Sequence, residues 1–372
     1  MSRKLRILEV NKFYPPHIGG IETLVEQRAR HFAERPDTEV RVLVCQEKGR
    51  GAVETIDGVE VIRCGSLGTF FSCPLSFSFF RRFRELAKWA DVAEIHTPFP
   101  LGDAAVVLSR CKCRIVIAWH SDVVKQKRLL KLYEPLLRRF MQRADAIIAA
   151  TPGHVAGSPY LTQFREKCRI IPYPLEIERY LTAPLRPILT ERQQVPGAVR
   201  VLFVGRLVYY KGVDVLLEAM RKVRGCELFV CGTGPLEDTL REKAKGLPVQ
   251  FLGRLSDEDL KSAFADCDIF VLPSVANSEA FGIVQQEAMV YGKPVINTSL
   301  PTGVPHVSLD GVTGLTVPPG DADALADAIG RLADDPALRA RFGKAAAARV
   351  RTEYACETIM DRILEVLKGG AV

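Results

Sequence analysis

Short apolar runs rich in β-branched residues alternate with amphipathic segments along this chain, in two series separated by a proline-rich pause. The first series comprises Leu5–Val10, Val40–Cys45, Val59–Arg63, Val92–His96, Ile115–Trp119 and Ala146–Ala150. Such runs are too short for buried helices. Strands apolar on both faces, spaced by helical segments, indicate parallel βαβ units. The pattern stops between Pro172 and Gln194, where Pro172, Pro174, Pro184 and Pro187 interrupt a polar stretch. It restarts with Arg200–Val204, Leu228–Cys231, Val249–Leu252, Ile269–Leu272, Pro294–Asn297 and Leu315–Val317, with helices expected at Asp323–Leu332 and Leu338–Leu367. The 372 residues exceed one ordinary domain of ~100–200 residues. The pause therefore reads as a linker between two doubly wound α/β domains, with ligands at the carboxyl ends of the strands and in the cleft between the domains. The boundaries expected are 1–182 and 183–350, with a final helix at 351–372 crossing back to the first domain.

Charge is divided unevenly over these halves. Of 51 basic and 44 acidic residues, 29 and 20 fall within 1–185, leaving +9 there and −2 in the remainder. The first half is thus suited to an anionic partner. Phe70, Phe71, Phe77, Phe79, Phe80 and Phe83 are interleaved with Arg81, Arg82 and Arg84. Further on, Lys125, Lys127, Arg128, Lys131, Arg138, Arg139 and Arg143 are opposed only by Glu134. Aromatic wedges beside cations suit an anionic headgroup surface; an amphipathic helix with a solvated basic face accounts for either stretch equally well. On the first reading, membrane contact falls to Phe79, Phe80, Arg81, Arg82, Arg84, Lys125, Lys127 and Arg128. No nucleic-acid-binding module accompanies the charge, so nucleic acid is not an expected partner. No run approaches the ~20 apolar residues of a spanning helix. Arg3, Lys4 and Arg6 lead into the first strand without a signal-peptide stretch. The 10 Cys show no repeated C-x-x-C spacing. Together these features give a reduced, cytoplasmic protein held peripherally at the inner membrane face.

The residues that carry chemistry cluster in the second half. Gly205-Arg206 follows a strand directly, and Lys211-Gly212 opens the next helix. Such a junction offers free N–H groups to an anion, and the two cations are spaced to straddle a diphosphate. Cys231-Gly232-Thr233-Gly234-Pro235 resembles a phosphate loop but lacks the rest of either phosphate fingerprint, so a tight strand-to-helix turn explains it as well. Glu279 and Glu287 flank Phe281-Gly282-Ile283, where a helix is expected to begin. Carboxylates so placed can each accept two sugar hydroxyls, and Gly282 lets backbone approach a ligand. Two surface glutamates beside an ordinary helix would look the same.

Residues 279–287 resemble the E-x-F-G-x-x-x-x-E signature of the retaining glycosyltransferase family four, whose fold is GT-B: two Rossmann-like domains facing across a cleft. The Gly205-Arg206 to Lys211-Gly212 segment and the Gly19-Gly20 pair resemble that family's other motifs, in matching order over nearly the whole chain. The resemblance implies that Arg206 and Lys211 hold a donor diphosphate and that Glu287 accepts the ribose hydroxyls. It also implies that Glu279 contacts the transferred sugar beside the backbone of Phe281, Gly282 and Ile283. Gly20 would let the N-terminal loop approach the phosphates, and His120, in Trp119-His120-Ser121-Asp122, matches the family's cleft histidine near the reacting carbon. The family retains anomeric configuration by front-face displacement, in which the leaving diphosphate helps deprotonate the acceptor. No cofactor and no metal is implied; Asp266-Cys267-Asp268 and Asp321-Ala322-Asp323 run into a strand and open a helix, and are read as structural. The segment Asn297–Pro305 and the stretch His120–Lys127 are similar to bacterial O-antigen mannosyl- and rhamnosyltransferases. That likeness implies GDP-mannose as donor and a saccharide on polyprenyl diphosphate as acceptor. A nucleotide-sugar epimerase and a non-catalytic nucleotide-sugar binder are the alternatives.

Overall fold

The computed structural model describes residues 3–17, 19–70, 73–122 and 127–370, with backbone only at 127–131. Two units emerge: the residues up to Ile171 together with those from Met360 onward, and Pro172–Ile359.

The strands of the first unit are β1 (Leu5–Val10), β2 (Thr38–Cys45), β3 (Ala52–Ile56), β4 (Val59–Cys64), a short hairpin of β5 (Thr69–Phe70) and β6 (Cys73–Pro74), β7 (Val92–Thr97), β8 (Arg114–Trp119), β9 (Ala146–Ala149) and β10 (Cys168–Ile170). Its main sheet runs β10-β9-β8-β7-β1-β2-β4-β3. Every pairing is parallel except β3 against β4. β3 escapes an apolar-run reading because it is an edge strand with exposed side chains. Asp57-Gly58, both at positive φ, close its hairpin, and that dipeptide was the available signal. Phe79, Phe83, Phe99, Phe140, Ile95 and Ile117 fill the core beneath the sheet. The last helix docks here through Arg35–Asp361 at 2.8 Å and Arg362 to the Ile170 carbonyl at 2.7 Å.

In the second unit β11 (Val199–Val204), β12 (Cys226–Cys231), β13 (Val249–Gly253), β14 (Ile269–Val271), β15 (Val295–Thr298) and β16 (Gly314–Val317) form a wholly parallel sheet, order β13-β12-β11-β14-β15-β16. Both units therefore wind outward from their first strand and reverse beside it, at β1/β7 and β11/β14. This is the Rossmann-like doubly wound topology, in which ligands meet the carboxyl ends at the reversal. Residues 172–182 belong to the second unit, so the chain changes over at Ile171/Pro172 rather than at 182/183. Gln286 Nε2 donates to the Tyr173 carbonyl at 3.0 Å, and the Tyr180 hydroxyl donates to Glu287. The single terminal helix expected from Leu338 is two, Pro336–Glu353 and Cys356–Lys368. They part where Leu175 N–H donates to the Tyr354 carbonyl at 2.8 Å. No helix among the described residues is long and apolar enough to cross a membrane.

Candidate active site

At the β11/β14 reversal of the second unit, the two loops leaving the strands meet through charge. Lys211 Nζ lies 2.5 Å from Glu279 Oε2, both side chains about one-tenth exposed. Ser274 Oγ donates to the same oxygen at 3.3 Å. Arg206 is exposed, and among the described residues its side chain has no hydrogen-bond or ion-pair partner. The loops are joined by main chain: Leu207 N–H to Thr233 O at 3.0 Å, Val275 N–H to Tyr210 O at 2.8 Å, and Gly303 N–H to Ala280 O at 2.7 Å. Gly232 serves this joining, because a Cβ there would lie 2.0 Å from the Gly205 carbonyl oxygen. The glycine pair of residues 231–235 is thus accounted for by loop packing.

The signature segment is part scaffold. Phe281 is buried, its ring 4.8 Å from Tyr173 and 6.4 Å from Tyr354 between centroids. Only its backbone is left to face a ligand. Gly282 has φ +75°, and a Cβ there would lie 2.5 Å from Leu272 Cδ2, so the fold itself demands glycine. The helix starts at Val284, after Ile283, not at Phe281. Glu287 on this helix accepts from the Tyr180 hydroxyl at 2.7 Å. Burial pushes its carboxyl upward, opposed by that hydrogen bond. Tyr180 was invisible in a linker-like segment; nothing in the sequence around it signals a carboxylate partner.

In the first unit His120 directly follows β8 and is buried. Its Nε2 lies 2.9 Å from His96 Nδ1, and His96 Nε2 lies 2.7 Å from Glu9 Oε2. The two imidazoles are within 7° of parallel with centroids 5.2 Å apart. That separation exceeds the N···N distance by about two ring radii, so the rings meet edge to edge along the hydrogen bond rather than face to face. Glu9 and Glu94 are paired in register on β1 and β7. Arg28, 1% exposed, is bonded to Glu94. Burial pushes Glu9 up to about 7 and Glu94 upward, His96 down to about 3, and His120 well below the usual histidine range. Glu9, Glu94 and His96 offer ligand-type atoms within 4.8 Å of one another, but Arg28 already supplies a cation to the pair. Sequence reading passed over this group, although the signal was present: Glu94 and His96 alternate in an otherwise apolar strand, as does Glu9 at the end of β1. Gly20 is the first residue of helix Gly20–Glu34, where a Cβ would meet nothing within 4 Å. Internal packing does not require glycine there.

The aromatic wedge needs correction. Phe79 and Phe83 are fully buried and Phe80 packs against the same core, so these are the inner face of helix Ser78–Trp89. Arg81, Arg82 and Arg84 are its exposed face. The exposed apolar side chains lie just before it: Leu67, Phe70, Leu75 and Phe77, at 65, 59, 42 and 73%. Lys125 and the side chains of Lys127 and Arg128 lie outside the described residues. Of the Asp-x-Asp pairs, Asp266 and Asp268 both bind Arg200, at 2.5 and 3.0 Å. Asp321 caps its helix by accepting from Ala324 N–H at 2.9 Å.

Comparison with known proteins places these motifs. Residues 18–179 match the family described as Glycosyltransferase Family 4, and 190–349 match Glycosyl transferases group 1. The chain is 34% identical to O-antigen chain mannosyltransferase C of Escherichia coli over 96% of each chain. It is 35% identical to the D-rhamnosyltransferase WbpZ of Pseudomonas aeruginosa, over 93% of this chain and 91% of that one. HepE of Anabaena, solved in complex with UDP, superposes with a TM-score of 0.76 at 22% identity, covering 98% of this chain and all of HepE. That likeness speaks for the fold, two Rossmann-like domains with GT-B neighbours. The motifs, the two doubly wound sheets and the full-length identities make this chain a glycosyltransferase of family 4, close to the O-antigen mannosyl- and rhamnosyltransferases.

Proposed function

We propose that the protein moves mannose, with retention of configuration, from GDP-mannose to a saccharide carried on polyprenyl diphosphate, in assembly of a cell-surface polysaccharide. The observation that carries this reading is the Lys211–Glu279 pair at the β11/β14 reversal, with Arg206 exposed on the same loop as Lys211. Two cations at that edge suit a leaving diphosphate, whose charge they would stabilise as the glycosidic bond breaks. Donor binding would then exchange the Glu279 carboxylate on Lys211 for phosphate oxygen, freeing Glu279 to accept sugar hydroxyls. Glu287 takes the ribose, with one oxygen already held by Tyr180. His120 and Gly20 are assigned to the transferred sugar and the phosphates. Charge stabilisation by Arg206 and Lys211 supplies what a divalent cation does in other transferases, so no metal is required. The choice of mannose leans on the full-length relative named as a mannosyltransferase.

An acceptor on a lipid carrier calls for a membrane-facing surface. The exposed Leu67, Phe70, Leu75 and Phe77 beside the Arg81, Arg82 and Arg84 face fit an anionic bilayer, each arginine contributing about 1 kcal/mol.

Thermal unfolding with GDP, UDP, ADP and dTDP tests the donor. A nucleotide at ~100 times its Kd adds about 2.7 kcal/mol. Stabilisation by GDP that Arg206→Ala abolishes is the expected outcome. Stabilisation by UDP instead would overturn the donor, and no response to any nucleotide or nucleotide sugar would overturn the transferase site. Sedimentation with phosphatidylglycerol vesicles tests the surface: Phe70→Ser with Phe77→Ser should release the protein, and unchanged sedimentation would remove the membrane assignment.

A further inference from the structure

We propose that Cys111 is a modification site, whose thiolate exchanges with small disulfides bearing carboxylates that the surrounding cations draw in. The proposal is independent of which sugar the enzyme transfers.

The site is a cavity of about 500 Å³ at the amino ends of β7 and β8. Arg84, Lys88, Arg110 and Lys112 line it, with Cys111 and Cys113 among them. None of these four cations has a hydrogen-bond or ion-pair partner among the described residues. Asp91, the acid of the lining, is already engaged: it accepts from Arg3 at 2.6 Å and from Arg6 N–H at 3.0 Å. Arg84 and Lys88 stand one turn apart on helix Ser78–Trp89, a like-charged spacing that works against the helix. Arg110 ends helix Pro100–Ser109 at φ +51°, a left-handed position that favours glycine. The volume lies in the range of small-ligand sites, and the charge selects anions.

Solvated cations alone would make an ordinary basic surface; the thiols among them give this one a chemistry. Cys113 is buried, and Cys111 is half-buried and is the accessible sulfur of the two. Their loop is fixed, because Arg143 Nη2 donates to the Cys111 carbonyl at 3.0 Å and to the Cys113 carbonyl at 2.9 Å. The Cys113 thiol is hydrogen-bonded to the Cys111 sulfur. That bond is the largest cause holding the Cys111 thiol at about 6, against its burial, and the Arg143 cation adds to it. The same bond pushes the Cys113 thiol upward. The charged groups facing the pair are Arg84 and Lys88 on helix Ser78–Trp89, Asp91 before β7, and Arg110 and Lys112 beside the thiols. Arg143 joins them from helix Lys127–Arg143, itself 3.3 Å from Asp145. Burial pushes the half-buried Cys73 and Cys168 upward, so neither matches Cys111 as a nucleophile.

The exchange needs no further reactant. Cys111 Sγ attacks one sulfur of the disulfide, the S–S bond breaks, and the other half leaves as a thiolate. Cys111 is oxidised to a mixed disulfide as the reagent is reduced, and no proton moves. The six residues of β8 set the site about 20 Å from His120, so an adduct leaves the proposed sugar contacts untouched.

The test treats the reduced full chain at neutral pH with dithiobis-nitrobenzoate, which carries two carboxylates, and with dithiodipyridine, which carries none. Release of nitrothiobenzoate should be fast, the sulfur oxidised first should map to Cys111 by peptide mass spectrometry, and Cys111→Ser should lose the fast phase. Lys88→Gln with Lys112→Gln should slow the anionic reagent on the order of 10-fold and leave the neutral one nearly unchanged. With iodoacetamide, the half-maximal rate near pH 6 should move in Cys113→Ala toward the ~8.5 of an ordinary thiol. A fast phase that survives in a folded Cys111→Ser overturns the proposal. So does a ratio between the two reagents unaltered by the lysine pair, or an unmoved pH profile in Cys113→Ala. Should Cys111→Ser fail to fold, first oxidation of the wild type at any cysteine other than Cys111 overturns it as well.

Discussion

Through their central strands the two sheets share one order, and they treat charge at the same topological position in opposite ways. At β1/β7 the first unit buries Arg28, Glu94, Glu9 and His96 and pairs them with one another. At β11/β14 the second unit pairs Lys211 with Glu279, both about one-tenth exposed, beside an exposed Arg206. A buried chain fixes geometry before any ligand arrives, since breaking it strands a charge in a medium without water. The Lys211–Glu279 pair is exchangeable for another reason: it sits beside the exposed Arg206, and an incoming anion that displaces the carboxylate leaves Lys211 still paired. One topological position thus serves preorganisation in one half and exchange in the other.

The largest test of that contrast is Arg28→Met. Removing one partner of a buried pair should cost about 3–5 kcal/mol of stability in urea unfolding. A loss below 1 kcal/mol would mean the first unit's charges are as dispensable as surface ones. Lys211→Ala should behave inversely, with little change in stability and a roughly 10²–10³-fold loss in kcat/KM for the donor. If it unfolded the protein instead, the second pair would be scaffold and the contrast would fail. A third test uses pH. Burial lifts Glu9 from 4.5 to about 7, so between those values the folded chain keeps a proton that the unfolded chain has lost. Stability should therefore fall as pH rises through that window, by up to about 1.4 kcal/mol per pH unit. Glu9→Gln has no proton to lose there, so its stability relative to wild type should grow from pH 5 to pH 7; a flat difference would refute the raised Glu9 carboxyl. The smallest effect is expected from Tyr180→Phe. It removes a hydrogen bond worth about 0.5–1.5 kcal/mol and the largest influence opposing burial at Glu287. The Glu287 carboxyl should rise further, moving the acid limb of nucleotide affinity to higher pH.

The fold was legible because a parallel sheet covered by helices writes its strands as bare apolar runs, and twelve of those runs needed nothing but their own composition once Pro172–Pro187 was seen as a break. β3 was not, since an edge strand with exposed Val53 and Glu54 carries no apolar signal. In the second unit, Lys211 and Glu279 were each singled out in a separate motif, but their 2.5 Å pairing was not foreseen, because only the β11/β14 neighbourhood brings the two loops together. Phe79 misled for a general reason: an aromatic beside arginines reads the same whether the arginines or the ring face outward, and helical phase decides it. Phe79 and Phe83 are one turn apart and share the inner side. The histidine chain was missed because its members, Glu9, His96 and His120, are far apart in sequence and only the register of β1, β7 and β8 unites them.

The main-chain bonds that join the loops after β11, β12, β14 and β15 have a consequence for evolution and for design. Because Leu207, Thr233, Tyr210, Val275, Ala280 and Gly303 are tied through backbone atoms, the rim keeps its shape whatever side chains it displays. Drift from one sugar nucleotide to another can then proceed by single exchanges at those positions without rebuilding the frame. Libraries that vary Tyr209, Thr233 and the 276–278 stretch, while sparing the glycines, address selectivity separately from folding.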